Sequence, residues 1–263
     1  MKYISLFLLL FILTINLNKS FAEDALTIKQ QLDRIMEEVK DLNKAVFNKS
    51  FDNEGDYTLS YSPLDSTQVF NAGLLGAKLL CLVYQYNKDE QLLVEARKIV
   101  SYVCKKQSNN GSWAYGTLPY HQWTDSFHTG YNLECINAYQ KASGDKTFRN
   151  NITKGLDYYL KNFFTQDGVS KYYNNHTYPI DIHAPAQLIV TLSKLEVFED
   201  NKELTNNVLN WTIENMQANE GYFYYQKKRI MTSKIPYIRW AQSWMFYAFT
   251  YYLAQFKKTD EQN

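Results

Sequence analysis

The sequence predicts an all-helical fold, an α/α toroid built from repeated helical hairpins over residues 23–263, and three observations predict it. Apolar residues recur at helical spacing through most of the chain. Successive helices are separated by polar links, such as Asn87-Lys88-Asp89, too short for anything but a turn, which makes neighbours antiparallel. A helix-ending residue followed four positions later by glycine, opening a loop rich in aromatic residues, occurs three times at intervals of 57 and 53 residues.

At 263 residues and 45% hydrophobic content, the chain is long enough to bury a sizeable core as one repeat domain. The 28 Lys and Arg nearly cancel the 27 Asp and Glu, so there is no broad positive field for a phosphate backbone, and nucleic acid is not an expected partner. Tyrosine is conspicuous, with 22 Tyr beside 15 Phe and 5 Trp. Such rings serve equally as core or as half-wet platforms for a ligand.

The first 22 residues read as a signal peptide. Lys2 precedes an apolar run from Ile4 to Leu17, and Ser20-Phe21-Ala22 offers the small residues that a signal peptidase accepts. An exported, periplasmic or secreted protein is expected, with an uncleaved anchor as the alternative. No later stretch is long and apolar enough to span a bilayer. Cys81, Cys104 and Cys135 lie inside apolar helical patterns without metal-ligand spacing. They are expected as buried small hydrophobes, and neither a metal nor a cofactor is expected.

The first helix is expected over Ala25–Phe47, from Leu26, Ile28, Leu32, Ile35, Met36, Val39, Leu42 and Val46. Asp65 with Gln68 three residues on has the pattern of a capping box, placing the next helix over Ser66–Tyr86. A third is expected from near Glu90 to near Gln107. Helices returning after the aromatic loops are expected over His128–Lys141, His183–Phe198 and Arg239–Lys257, giving four hairpins in all. The loops themselves run over Gly111–Phe127, Gly168–Ile182 and Gly221–Ile238, with an earlier relative at Asn53–Leu64. One hairpin cannot bury both of its faces, so neighbours must stack around a curve.

The first repeat copy, with Tyr102, Val103, Gln107, Gly111 and Trp113, resembles the glutamine-tryptophan repeat of the terpenoid cyclases and protein prenyltransferases. That resemblance implies an α/α toroid, a scaffold also used by six-hairpin glycosidases. The blocks SYSPLDSTQVFNAGLLGAKLL, QWTDSFHTGYNLECINAY, KYYNNHTYPIDIHAPAQ and KIPYIRWAQSWMFYA resemble bacterial toroid proteins associated with envelope and exopolysaccharide biosynthesis. This second resemblance implies a polysaccharide context and names no reaction. No DxDD or DDxxD cluster is present, so cyclase chemistry lacks its carboxylates, and no Asp-x-Cys with a later His stands ready for the prenyltransferase zinc.

In a toroid the loops and the first turns of the returning helices gather at one end, and candidate site residues are sought there. Asp125 and His128 form a possible acid/base pair, with Tyr131 and Glu134 on the same helical face one and two turns on. The competing reading makes Asp125 a helix cap. Asp181 and His183 repeat the carboxylate-and-imidazole set, with the same competing reading. Arg239 and Trp240 begin the third returning helix, and Arg239 suits an anionic group such as a uronate unless a structural salt bridge occupies it. Trp113, Tyr115, Trp123, Tyr173 and Tyr61 are candidate stacking platforms for sugar rings, as are Tyr172 and Tyr225. The run Lys227-Lys228-Arg229 reads either as a solvated face or as a contact for an acidic glycan.

These residues point to a carbohydrate-active protein whose partner is a polysaccharide or oligosaccharide. Hydrolysis would use two carboxylates, Asp125 with Asp181 or Glu134. Elimination or epimerisation at a uronate would use His128, His183 or Tyr131 as base beside Arg239. A non-catalytic glycan- or partner-binding factor would use the same residues.

Overall fold

The structure is a computed structural model that describes residues 48–260 apart from Pro63, and backbone alone for 256–260. The expected signal peptide and the expected helix over residues 25–47 lie outside the described residues.

Among the described residues seven α-helices follow in order: α1 (Phe70–Asn87), α2 (Glu90–Lys105), α3 (Ser126–Ser143), α4 (Arg149–Phe163), α5 (His183–Lys194), α6 (Lys202–Met216) and α7 (Ser243–Asp260). The inner helices α1, α3, α5 and α7 pack each against the next in chain order, while α2, α4 and α6 pack behind them. The expected all-α toroid of stacked hairpins is what the chain forms.

Helix boundaries follow local chemistry. Asp89 caps α2 by accepting from the Gln91 amide, and Lys88 takes the left-handed conformation that ends α1. The start of α1 corrects the sequence reading. Asp65 accepts from the amide and hydroxyl of Thr67 instead of capping a helix, and Gln68 accepts from the Tyr102 hydroxyl. The helix begins four residues late, at Phe70, whose amide is satisfied by the Tyr115 carbonyl of the next loop. Likewise α5 stops at Lys194, short of Phe198, where Glu196 adopts a positive φ of 61°.

The glycine register has a common geometry. Gly111, Gly168 and Gly221 have φ of 95°, 87° and 94°. Each donates its amide three residues back, to Ser108, Thr165 and Ala218, and each of those residues donates to the carbonyl four residues on. Gly55 makes the same turn, with φ 84°, donating to Asp52. Two of these turns are seats for the next outer helix. A Cβ on Gly111 would run into the Lys154 carbonyl of α4, and one on Gly168 into the Asn207 carbonyl of α6. Gln107 donates to both the Gly111 and the Asn151 carbonyls, at 2.9 and 3.0 Å, tying turn to helix. Gln217 reaches only the Gly221 carbonyl, and space beside Gly221 is open among the described residues.

The loops carry short strands that the sequence did not signal. One hairpin pairs β1 (Lys49–Phe51) with β2 (Tyr57–Leu59). A three-stranded antiparallel sheet runs β3 (Ile180–Asp181), β4 (Gln226–Lys227), β5 (Thr232–Ser233), with β4 central. That sheet joins the second aromatic loop to the third by pairing Asp181 with Gln226.

Candidate active site

The N-terminal ends of α3, α5 and α7 meet where the loops converge. Asp125 is the N-cap of α3 and is almost wholly buried. One of its oxygens accepts from the His128 amide at 2.9 Å, and the other lies 2.7 Å from His128 Nδ1 and accepts from Trp123 Nε1 at 3.2 Å. Capping and pairing are therefore performed by the same carboxylate. Because it only accepts, it fixes a proton on Nδ1 and leaves the Nε2 lone pair of half-buried His128 outward.

Asp181 does the same for His183. Its Oδ1 accepts from the His183 amide at 3.0 Å and lies 3.1 Å from Nδ1, while Oδ2 accepts from Gln226 Nε2 at 3.0 Å. His183 is buried, and its Nε2 has no hydrogen-bond partner among the described residues.

Aromatic rings join the two dyads. Phe127 contacts His128 and His183, with ring centroids 4.2 and 5.4 Å away. Trp244 contacts His183 at 5.5 Å and Tyr131 at 5.6 Å, and Tyr131 returns to His128 at 6.0 Å, closing a circuit of five rings. Beyond His128, Tyr115 stacks on Trp123 at 4.7 Å with an interplanar angle of 14°. Its phenol is pushed up to about 12, by burial first and then by Tyr61 and Asp125 nearby. On the other flank the half-exposed Trp240 stands edge-on to His183 at 5.3 Å. A π-turn over Ile238–Gln242 precedes α7 and brings both Trp240 and Trp244 to this imidazole.

The structure thus brings together Asp125, His128, Tyr131, Asp181, His183, Tyr115, Trp123 and Trp240. Tyr173 joins them by a backbone bridge to Asp125, and Tyr61 lies beside Tyr115. Arg239 is exposed and makes no ion pair among the described residues, so the structural salt bridge weighed for it is not formed. Three expectations need correction. Trp113 is no platform: it is 2% exposed, donates to the Val103 carbonyl at 3.1 Å, and lies on Gly155 of α4 as core. Tyr131 is unsuited as a base, because burial above all, then Glu134 and Asp125, raise its phenol far beyond neutrality. Glu134 is not an acid or nucleophile for substrate. It is buried against Lys78, with Lys194 Nζ 3.6 Å from the same oxygen. Burial alone would raise its carboxyl, but these two ammonium groups hold it below its ordinary value.

Trp244, Gln226, Lys78 and Lys194 were missed from sequence. Trp244 was findable, since it lies one helical turn after Trp240. The others show only through tertiary contacts. Among the described residues no cluster of three His, Cys, Asp or Glu could hold a metal ion.

No family model matches the chain, and no curated protein matches it by sequence. Solved structures do match in fold. A D-mannose isomerase superposes with a TM-score of 0.63 at 14% identity, over 88% of this chain and 68% of its own. A cellobiose 2-epimerase from Bacillus thermoamylovorans gives 0.61 at 13% identity, over 80% and 62%. An unsaturated glucuronyl hydrolase specific for heparin gives 0.54 at 16% identity, over 79% and 55%. What the chain shares with them is the α/α-toroid fold. The chain spans less than two thirds of the length of the epimerase and of the glucuronyl hydrolase.

Proposed function

We propose that the protein is a carbohydrate-active enzyme that moves a proton at a sugar carbon, as an epimerase, isomerase or lyase. The observation that carries this is the engagement of both carboxylates. Every oxygen of Asp125 and Asp181 already accepts from an imidazole, a helix-start amide or a loop side chain, and what each dyad offers is a histidine Nε2. Hydrolysis by two carboxylates needs one free to donate and another free to attack or activate water, which these are not. Two imidazoles that both contact Phe127 suit removal of a proton from a carbon beside a carbonyl or carboxylate, with a proton then given to the opposite face of the same carbon (epimerisation), to the neighbouring carbon (isomerisation) or to the leaving oxygen (elimination).

Stacked Tyr115 and Trp123, and Trp240 on the opposite flank, supply faces for sugar rings. Arg239 is available to neutralise a uronate carboxylate. Folds shared with an isomerase, an epimerase and a heparin-specific glucuronyl hydrolase support a saccharide substrate. The leader-like first 22 residues support export, and the block resemblances support an envelope or extracellular polysaccharide as the source of that saccharide.

The test is incubation of purified protein with aldoses, reducing oligosaccharides and uronate-containing glycans. An interconverted sugar or new absorbance from unsaturated ends supports the reading. New reducing ends from saturated fragments, with the C–H bond intact, would make it a hydrolase, and retention of glycan without product would make it a binding factor.

A further inference from the structure

We propose that the β4–β5 hairpin and the segment that follows it form a peripheral docking arm for an anionic lipid surface. The charge is one-sided there. Between Glu220 and Asp260 the chain has seven Lys and Arg and no acidic residue, although the whole sequence carries a net charge of only +1. At the hairpin tip Lys228 and Arg229 are exposed and make no ion pair among the described residues, and Lys234 on the next segment is likewise exposed.

Between these cations stand aliphatic side chains that nothing in the described structure covers. Ile230 is 97% exposed and Ile238 77%, with Met231 and Ile235 also exposed. A glycan would be met by aromatic faces and polar atoms, not by bare Ile and Met. Basic residues interleaved with exposed aliphatic ones match a bilayer interface, where the cations attract anionic headgroups and the apolar tips enter the acyl boundary. No helix among the described residues is long and apolar enough to cross a membrane, so such attachment would be superficial.

The arm is also fixed. The Lys228 amide donates to the Met231 carbonyl to close the tip, the Tyr225 amide donates to the Ser233 carbonyl, and the Tyr225 ring meets Tyr237 edge-on at 5.2 Å. Its base reaches the site, because Gln226 holds Asp181 and the Tyr225 carbonyl accepts from Ile182. Docking through this arm would set the candidate site at the membrane face, within reach of lipid-anchored or membrane-proximal saccharide.

Sedimentation of residues 23–263 with phosphatidylglycerol vesicles and with phosphatidylcholine vesicles tests this, since the first 22 residues, which carry Lys2 and Lys19 beside an apolar run, would bind vesicles by themselves. The expected result is at least about tenfold stronger partition to phosphatidylglycerol, lost in K228E/R229E and lost above roughly 0.5 M salt. I230S/M231S should also weaken vesicle binding while leaving binding of soluble polygalacturonate unchanged. These positions are exposed, so unchanged circular dichroism and melting are expected of both variants. Equal partition to the two lipids, or a lipid preference surviving K228E/R229E, would overturn the proposal. So would polygalacturonate binding that K228E/R229E abolishes while I230S/M231S leaves vesicle binding intact, which would make the arm a glycan subsite.

Discussion

His183 Nδ1 lies 3.1 Å from Asp181 Oδ1, and on the opposite side of the ring its Nε2 is buried without a partner among the described residues. A buried imidazole nitrogen left unbonded costs stability, of the order of 1–3 kcal/mol. Together with the more exposed Asp125–His128 pair, it forms the site for which we propose that carboxylates orient and imidazoles transfer protons.

This division of labour separates capping from chemistry. Asp125→Asn keeps an oxygen to cap α3 but places an NH2 group where Nδ1 needs an acceptor. Thermal melting of Asp125→Asn should stay close to wild type, while kcat falls about 10²- to 10⁴-fold. Asp125→Ala should lose both activity and about 1 kcal/mol or more of stability. An Asp125→Asn enzyme with wild-type kcat would show that the carboxylate only caps.

The turn glycines differ in what surrounds them. Alanine at any of the three must adopt a positive φ, costing roughly 1–2 kcal/mol. At Gly111 and Gly168 it must also push away a backbone carbonyl of the next outer helix, adding about 1–3 kcal/mol, whereas Gly221 faces open space. Denaturant unfolding should rank Gly111→Ala and Gly168→Ala well below Gly221→Ala. Equal losses at all three would mean that the seats are not close-packed.

Buried Lys78 and Glu134 pair on α1 and α3, with half-buried Lys194 3.6 Å from the same Glu134 oxygen. Burial would lower the Lys78 ammonium, but Glu134 outweighs it and raises it overall. Removing that ammonium by Lys78→Met leaves a buried carboxylate with the more distant Lys194 and the Gln187 amide, with an expected loss of about 3–5 kcal/mol. The Glu134 carboxyl is depressed on folding, so its contribution is fully present above the unfolded carboxyl value of about 4.3 and disappears as pH falls through the lower folded value. Stability of Glu134→Gln measured against pH should therefore differ from wild type most above about pH 5, and the two curves should converge in acid. A difference that grows as pH falls would reverse the assigned sign.

Two tryptophans separate core from platform. Trp113→Ala should cost about 3–5 kcal/mol because the ring fills the space over Gly155. Trp123 is partly exposed and stacked on Tyr115, so Trp123→Ala should chiefly raise KM with a smaller change in melting temperature. The opposite pattern in a melting and steady-state kinetic comparison would exchange their roles.

The hairpin repeat was legible in the sequence because helical periodicity and positive-φ glycines are local signals. Asp125/His128 and Asp181/His183 were legible because they fall at equivalent places in successive repeats. Trp113 was misplaced for a reason of geometry: a loop aromatic two residues after the turn glycine folds inward over Gly155, and only the packing of α4 reveals it. Glu134 shares a helical face with His128, yet its partner Lys78 lies 56 positions away on α1, beyond any local pattern. The Asp65–Gln68 pattern failed because a tertiary carbonyl, that of Tyr115, supplies the bond to the first turn of α1.

Proton transfer through the two imidazoles is tested most directly by solvent exchange. Sugar incubated with enzyme in heavy water should gain one deuterium at the reacting carbon if it is epimerised or isomerised, or lose that proton to an unsaturated product if it is cleaved by elimination, read by proton NMR and mass spectrometry. His128→Asn and His183→Asn should each slow either change about 10²- to 10⁴-fold while remaining folded. Turnover that neither places deuterium at carbon nor yields an unsaturated product, or proton transfer untouched in both variants, would contradict the assignment.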